Sequence, residues 1–400
     1  MGIVRKISRF ISKTVACIMT VALFAVSITS FSPVYRFRRP DPFTGADIYN
    51  PYRNLDTANC WKRANFHTHT RVKGILNECE LWPAEVYSEL EKFGYDIVTF
   101  SNHNELTVHP FDTSLQVNVY EHGYNLFKYH KLVFGCEEVI HFDHLIPLLA
   151  SQKQFQIDYL SKKADFIQIN HPLRTNGLSG RQMKYLSGYR LIELDSGMST
   201  RNEYWDLALS SGHYSFGVAN DDLHYPDRSG RIAVRCNFLC TPSASYEDIR
   251  SVLEEGCFYS MRVPDYGHGD WSIKYEMNRH LPYVKDIGLK DSTIYFSVSH
   301  QADSIKVTGQ DYKTLSAAYG SDSIEYCMQP DDSYARLTAW FPDGEVIYSN
   351  PFARYDASVS ESPFNEAPQD VDFLLTILFN LLAAAVSAAC AYILYKIIRS

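Results

Sequence analysis

No Cys-x-x-Cys pair occurs anywhere in the 400 residues, which leaves a thiolate zinc site without support. Of the nine cysteines, Cys17 and Cys390 lie in apolar segments. The other seven are odd in number and irregularly spaced, so they do not build the disulfide framework of a small secreted domain. Cys236 and Cys240 fall on a strand-like run and read as packing residues. Surplus positive charge is also missing. With 38 Lys and Arg against 46 Asp and Glu, the net charge of −8 gives no overall footprint for duplex nucleic acid, which is disfavoured as a partner. No internal repeat or low-complexity tract is evident. What the chain does have is 14% aromatic residues, among them 28 Tyr and 23 Phe, which argues against disorder and for well-packed sheets.

Two long hydrophobic runs stand at the ends. Residues 14–31 follow a basic stretch with Arg5, Lys6, Arg9 and Lys13, the layout of a signal peptide or signal anchor occupying residues 1–35. Residues 371–395 are long enough to cross a bilayer and are closed by Lys396 and Arg399. A Pro-, Ser- and Glu-containing linker at 357–370 precedes them. The basic residues flank the outer end of each run, which predicts cytoplasmic termini and an extracytoplasmic middle, although Arg36, Arg38 and Arg39 partly balance the first cluster.

Between residues 60 and 265, short strand-like runs alternate with helix-like ones, the pattern of parallel strands with crossover helices. Seven strands are expected, over 61–69, 95–103, 131–137, 165–171, 190–195, 213–224 and 257–262, with helices over 83–93, 154–163, 200–211 and 245–255. The run 231–239 reads as an extra strand without a place. Residues 270–356 are all strand-like and predict a small β-sandwich.

Ionisable residues recur at the C-terminal ends of these strands, where an α/β barrel carries its active site. His67 and His69 alternate along a strand, so both imidazoles face one side and can share an ion. His103, Glu137 with Glu138, His171, and Asp222 with His224 follow at later strand ends. Each alone has an ordinary counterpart, a loop histidine or a solvated carboxylate. Together they form a set of imidazoles and carboxylates that suits Zn²⁺, Mn²⁺ or Fe²⁺ better than Ca²⁺ or Mg²⁺. Two such ions could hold a bridging hydroxide for attack on a phosphoryl or acyl centre.

The ordered motifs His67-Thr68-His69-Thr70, Ser101-Asn102-His103, Gly135-Cys136-Glu137, Asn170-His171-Pro172 and Asp222-Leu223-His224 resemble the PHP (polymerase and histidinol phosphatase) family. That resemblance covers about half the chain. It implies a distorted seven-stranded (β/α) barrel, up to three metals and hydrolysis of phosphoesters. It implies a first metal on His67, His69, Glu137 and Asp222, and a second on Glu137, His171 and His144, with His141 an alternative to His144 and Glu138 to Glu137. A third would take His103 and His224. Two departures stand out: Lys73 occupies the position of the family's first-motif aspartate, and Asn102 that of an aspartate beside the second-strand histidine. Both remove negative charge from the third site, so two metals per chain are expected, with the Lys73 ammonium in the third ion's place. Tyr334, Arg336 and Tyr348-Ser349-Asn350-Pro351 resemble the all-β tail of some membrane-associated relatives.

The expected function is a membrane-tethered, two-metal phosphoesterase, in which Glu137 and Asp222 serve the metals and Arg174 and Lys73 hold an anionic substrate. Hydrolysis of a carbamate or amide, and a non-catalytic surface binding module, are the competing readings.

Overall fold

The computed structural model describes residues 2–56, 61–74, 77–174, 177–195, 202–226 and 231–399. The chain opens with helix α1 (Gly2–Ile28), then crosses the short strands β1 (Tyr35–Arg36) and β2 (Asp47–Tyr49). Strand β3 (Lys62–Asn65) leads to α2 (Pro83–Lys92), whose first turn uses Pro83, where no N–H is needed, and the Glu85 carboxylate, which accepts from Trp82 N at 2.7 Å. There follow β4 (Ile97–Val98), β5 (Val119–His122), β6 (Lys131–Phe134), α3 (Ala150–Leu160), β7 (Phe166–Ile169) and α4 (Gly180–Met183). Next come β8 (Leu191–Leu194), α5 (Glu203–Ser210), β9 (Phe216–Ala219), β10 (Arg235–Leu239), α6 (Tyr246–Glu255) and β11 (Phe258–Arg262). The first two residues of the expected 200–211 helix lie outside the described residues. Helix α6 stops at Gly256, which is left-handed (φ 89°), and a Cβ there would fall 2.4 Å from the Phe216 ring.

The expected distorted seven-stranded (β/α) barrel does not close: its strands lie in two sheets. One runs β5-β6-β7-β8-β9, and the other carries β4-β3-β10-β11. Single parallel bridges, His103 to Glu121 and Thr68 to Leu223, join the sheets at their margins, so hydrogen bonding does not run round as a ring. Side chains occupy the gap. Asn237 exchanges two hydrogen bonds with the backbone of Ala219 (2.9 and 3.0 Å), while Ser260 Oγ donates to Gly217 O at 2.7 Å and Asn350 Oδ1 accepts from Gly217 N at 3.2 Å. Strand β9 therefore has its free edge satisfied by buried amides and a hydroxyl; each group left unpaired there would cost about 1–3 kcal/mol. Apolar side chains fill the interior, with Phe134 stacked on Phe166 at 4.9 Å and edge-on to Phe66 at 5.7 Å.

Strand β10 is the unplaced run of the sequence, and it pairs antiparallel with both β3 and β11. Strand β6 also runs antiparallel to its neighbours β5 and β7. The downstream elements are α7 (Trp271–Asn278), β12 (Val284–Lys290), β13 (Thr293–Gly309), β14 (Lys313–Cys327), β15 (Tyr334–Trp340), β16 (Val346–Ser349) and β17 (Phe352–Tyr355). Within this region, expected to form a small β-sandwich, β16 pairs with β11, so its sheet is continuous with that of the body. In the expected linker, Phe364 packs edge-on to Tyr214 at 4.6 Å, under the Arg190 guanidinium at 3.7 Å.

Strand β18 (Asp370–Val371) pairs with β1 and starts helix α8 (Phe373–Arg399). The two terminal helices lie antiparallel against each other. Ser27 meets Ser387 (2.8 Å), Ser32 and Asn380 exchange hydrogen bonds at 3.2 Å, and Val34 N donates to Thr376 Oγ1 at 2.9 Å. At 27 residues each and about 1.5 Å per residue, both exceed the ~30 Å of a bilayer's hydrocarbon core.

Candidate metal centre

Glu121 is at the centre of the site. It is the third residue of β5, its side chain is 1% exposed, and imidazole nitrogens of His67 (3.2 Å), His69 (3.3 Å), His103 (3.0 Å), His130 (3.1 Å) and His171 (3.2 Å) approach its two oxygens. Three overlapping groups of ligand atoms result, each within 4.8 Å: His67, His69, Glu121 and Asp222; His69, Glu78, His103 and Glu121; and Glu121, His130 and His171. Asp222 Oδ1 stands 3.3 Å from His67 Nε2 and 3.4 Å from His69 Nε2. Its other oxygen contacts the Arg174 guanidinium. His224 packs edge-on against His69 with ring centroids 4.4 Å apart.

Local backbone explains why these side chains converge. His67 and His69 follow β3 with the same alternation, and the chain after β7 and β9 turns through left-handed backbone at His171 (φ 27°) and Asp222 (φ 49°). Non-glycine residues rarely adopt such angles, and the strain is a recurrent feature of functional turns.

Glu193 on β8 orders the first ligand. Its Oε1 lies 2.9 Å from His67 Nδ1 and its Oε2 accepts from His171 N at 2.7 Å. A neutral His67 carrying its proton on Nδ1 would donate to this carboxylate and turn the Nε2 lone pair to the site. Glutamine at 193 keeps one acceptor for two donors. Glu193→Gln is therefore expected to weaken metal affinity about 10–100-fold, read by metal titration of the folded protein; unchanged affinity would refute the orienting role.

The donor set fits divalent cations. Nε2 of His67 and of His69 are buried and, among the described residues, without a hydrogen-bond partner, although each lies 3.2–3.4 Å from two carboxylate oxygens. Nδ1 of His103 and of His171 are likewise buried and unpartnered. Burial works against ionising Glu121, yet the imidazoles of His103, His67 and His130 outweigh it and hold this carboxyl well below the usual range. Burial likewise opposes charge on His69, but the Asp222 and Glu121 carboxylates push it up to about 9. At His130 and His224 burial comes first, joined by the imidazoles of His171 and His103 at the one and of His69 at the other, and each is pushed down to about 4. The carboxylates that draw a proton onto His69 would equally favour a metal cation on that nitrogen.

Three of the expected site residues are elsewhere. Glu137 is exposed, as is its alternative Glu138, which pairs with Lys163. The reason is strand direction: because β6 is antiparallel, residues past its C-terminal end emerge away from the site, while His130 at its start is delivered to it. His144 is buried against Thr29 O, outside the cluster, and His141 is exposed. Lys73 is exposed, and the carboxylate beside His103 is Glu78, with Oε2 3.0 Å from His103 Nε2. Burial opposes its ionisation, but contact with His103 and the charge of His69 bring Glu78 down to about 2. Asn102 does not orient an imidazole; it accepts from Thr70 N and donates to Thr70 Oγ1 (both 2.7 Å), tying two loops of the site. The sequence reading also missed Glu121, His130 and Glu193. The run Val117-Asn118-Val119-Tyr120-Glu121-His122 before Gly123 is rich in strand-forming residues and ends in two ionisable ones, as strong a signal as the run ending at Glu137.

No family model and no curated protein sequence matches this chain. Among solved structures it is similar to a two-domain protein containing a predicted PHP-like metal-dependent phosphoesterase from Bacteroides vulgatus ATCC 8482, at 14% identity and a TM-score of 0.36, over 78% of this chain and 99% of that one.

Proposed function

We propose that this chain is a membrane-anchored, metal-dependent phosphoesterase whose ions are held around Glu121. The observation that carries the reading is one buried carboxylate shared by three groups of imidazole and carboxylate ligands. His67, His69 and Asp222 would hold the first ion with Glu121, His130 and His171 the second, and Glu78 and His103 the third. Bound divalent cations supply Lewis-acid stabilisation of phosphoryl oxygens and lower the pKa of water towards ~7. Zn²⁺, Mn²⁺ and Fe²⁺ suit these donors. Arg174, 27% exposed at the side chain, fixes Asp222 and presents the remaining guanidinium edge to an anionic group.

The reading predicts that full-length protein loses turnover of an aryl phosphoester after chelation and regains it on adding back one of these metals. An aryl carbamate should stay untouched; preferential cleavage of the carbamate would replace this reading by an acyl hydrolase.

Helices α1 and α8 are proposed to cross the bilayer side by side, with both termini in the cytoplasm, because Arg5, Lys6, Arg9 and Lys13 at one end and Lys396 and Arg399 at the other flank the apolar runs. Protease added to intact cells should then digest the body between them, and a fully protected body would contradict the assignment.

A further inference from the structure

The body meets the end of α1 through the rim of the metal centre. Thr29 and Ser30 directly follow the helix. His144 Nδ1 donates to Thr29 O, Leu145 N donates to Thr29 Oγ1 at 3.2 Å, and Gln152 Nε2 reaches Ser30 O at 3.5 Å. The segment 142–149, which makes the first two of these contacts, exposes Phe142 (37%), Leu148 (64%) and Leu149 (45%).

A second segment, 123–130, lies beside it and exposes Tyr124 (46%) and Leu126 (68%) together with Lys128. The two are fastened together. Leu126 N donates to Leu145 O at 3.1 Å, and Asp143 Oδ2 accepts from Tyr124 N (2.8 Å) and Asn125 N (3.1 Å). Segment 123–130 follows β5, which carries Glu121, and ends at His130, so the loop with the apolar tip links two residues of the metal centre.

Depth follows from the helix pair. Thr29 lies between Ser27, which touches Ser387, and Ser32, which touches Asn380. The rim therefore sits level with a part of α8 at least seven residues past Phe373, about 10 Å along the helix. Phe373, Leu374, Ile377 and Leu378 on that intervening stretch are all more than half exposed. A bilayer that covers them also reaches Phe142, Leu148, Leu149 and Leu126. Leucine tips with a tyrosine and a lysine whose stem can snorkel are the chemistry of a membrane interface.

We propose that the two rim segments are seated in the bilayer interface, and that the metal centre beside them hydrolyses a phosphoester carried by a membrane lipid. The substrate half rests on the phosphoesterase reading, and the seating half on the reading of α1 and α8 as membrane-spanning. In the reaction one water is consumed. Its oxygen bonds to phosphorus, the phosphorus–oxygen bond to the lipid alcohol breaks, and that alcohol takes up a proton from the water.

The test uses the full chain in phosphatidylcholine vesicles containing phosphatidic acid, with p-benzoylphenylalanine in place of Leu126, Leu148 or, as a control past the far end of β6, Glu138. Lipid adducts at 126 and 148 but not at 138 are expected. Absence of lipid adducts at both positions, or adducts to another protein instead, overturns the seating. In parallel, Leu126→Asp combined with Leu148→Asp should slow release of phosphate from phosphatidic acid by about tenfold or more, by putting charge where apolar area was buried, while water-soluble glycerol phosphate is hydrolysed as before. Turnover of glycerol phosphate without any of phosphatidic acid overturns the lipid substrate and leaves the phosphoesterase reading standing. Turnover of neither in metal-loaded protein overturns the phosphoesterase reading and the lipid substrate together, while the adducts still decide the seating.

Discussion

Replacing Glu121 by Ala is expected to lower turnover by three or more orders of magnitude, about 4 kcal/mol of barrier, and to strip bound metal from the protein at the same time. Five imidazoles approach this one carboxylate, and all three ligand groups include it, so its loss weakens every ion position rather than one. Glu121→Gln separates charge from shape. The amide oxygen can still accept from Asn170 Nδ2, which donates to Glu121 Oε1 at 2.9 Å, but it brings no negative charge to balance a cation. Metal analysis of both variants, beside circular dichroism to show that they fold, makes the comparison. If either folded variant kept its full metal content, Glu121 could not be the shared ligand.

The second large effect concerns the number of ions. Glu78→Gln should lower the metal count by one, whereas Lys73→Ala should leave it unchanged. From sequence, the position of Lys73 suggested an ammonium replacing the third ion. In the folded chain Lys73 is exposed, while Glu78 stands 3.0 Å from His103 Nε2 and 3.7 Å from His69 Nδ1, ionised down to about pH 2. Elemental analysis of the unmodified chain and the two variants decides between the two residues. Two ions in the unmodified chain, still two in Glu78→Gln, would instead favour the Lys73 ammonium in the third ion's place.

The strain at His171 and Asp222 has a bearing on both experiments. Each of these residues is held in left-handed backbone at the end of its strand. Carboxylate and imidazole contacts around Glu121 help to hold that geometry, so variants there should also open the site to faster amide exchange.

Much of the centre was legible in the sequence because it depends on local periodicity. His67 and His69 alternate on a strand, and His103, His171, Asp222 and His224 each follow an apolar run, so short-range pattern alone placed them at strand ends. The two terminal helices were legible for the same reason, since length and apolarity are properties of the segment itself. What the sequence could not supply was strand direction. The runs ending at Glu121 and at Glu137 look alike as patterns, and only the pairing of β6 with β5 and β7, antiparallel to both, sends Glu137 outward and brings His130 in. Glu78 and Glu193 were beyond reach for a related reason: one arrives on a loop and the other from the interior of β8, and their distances to His103 and His67 exist only once separate elements have packed. Local pattern determined which residues could serve a metal, and the tertiary course of the chain decided which of them share one carboxylate, because ligand geometry is set by contacts between residues far apart in sequence.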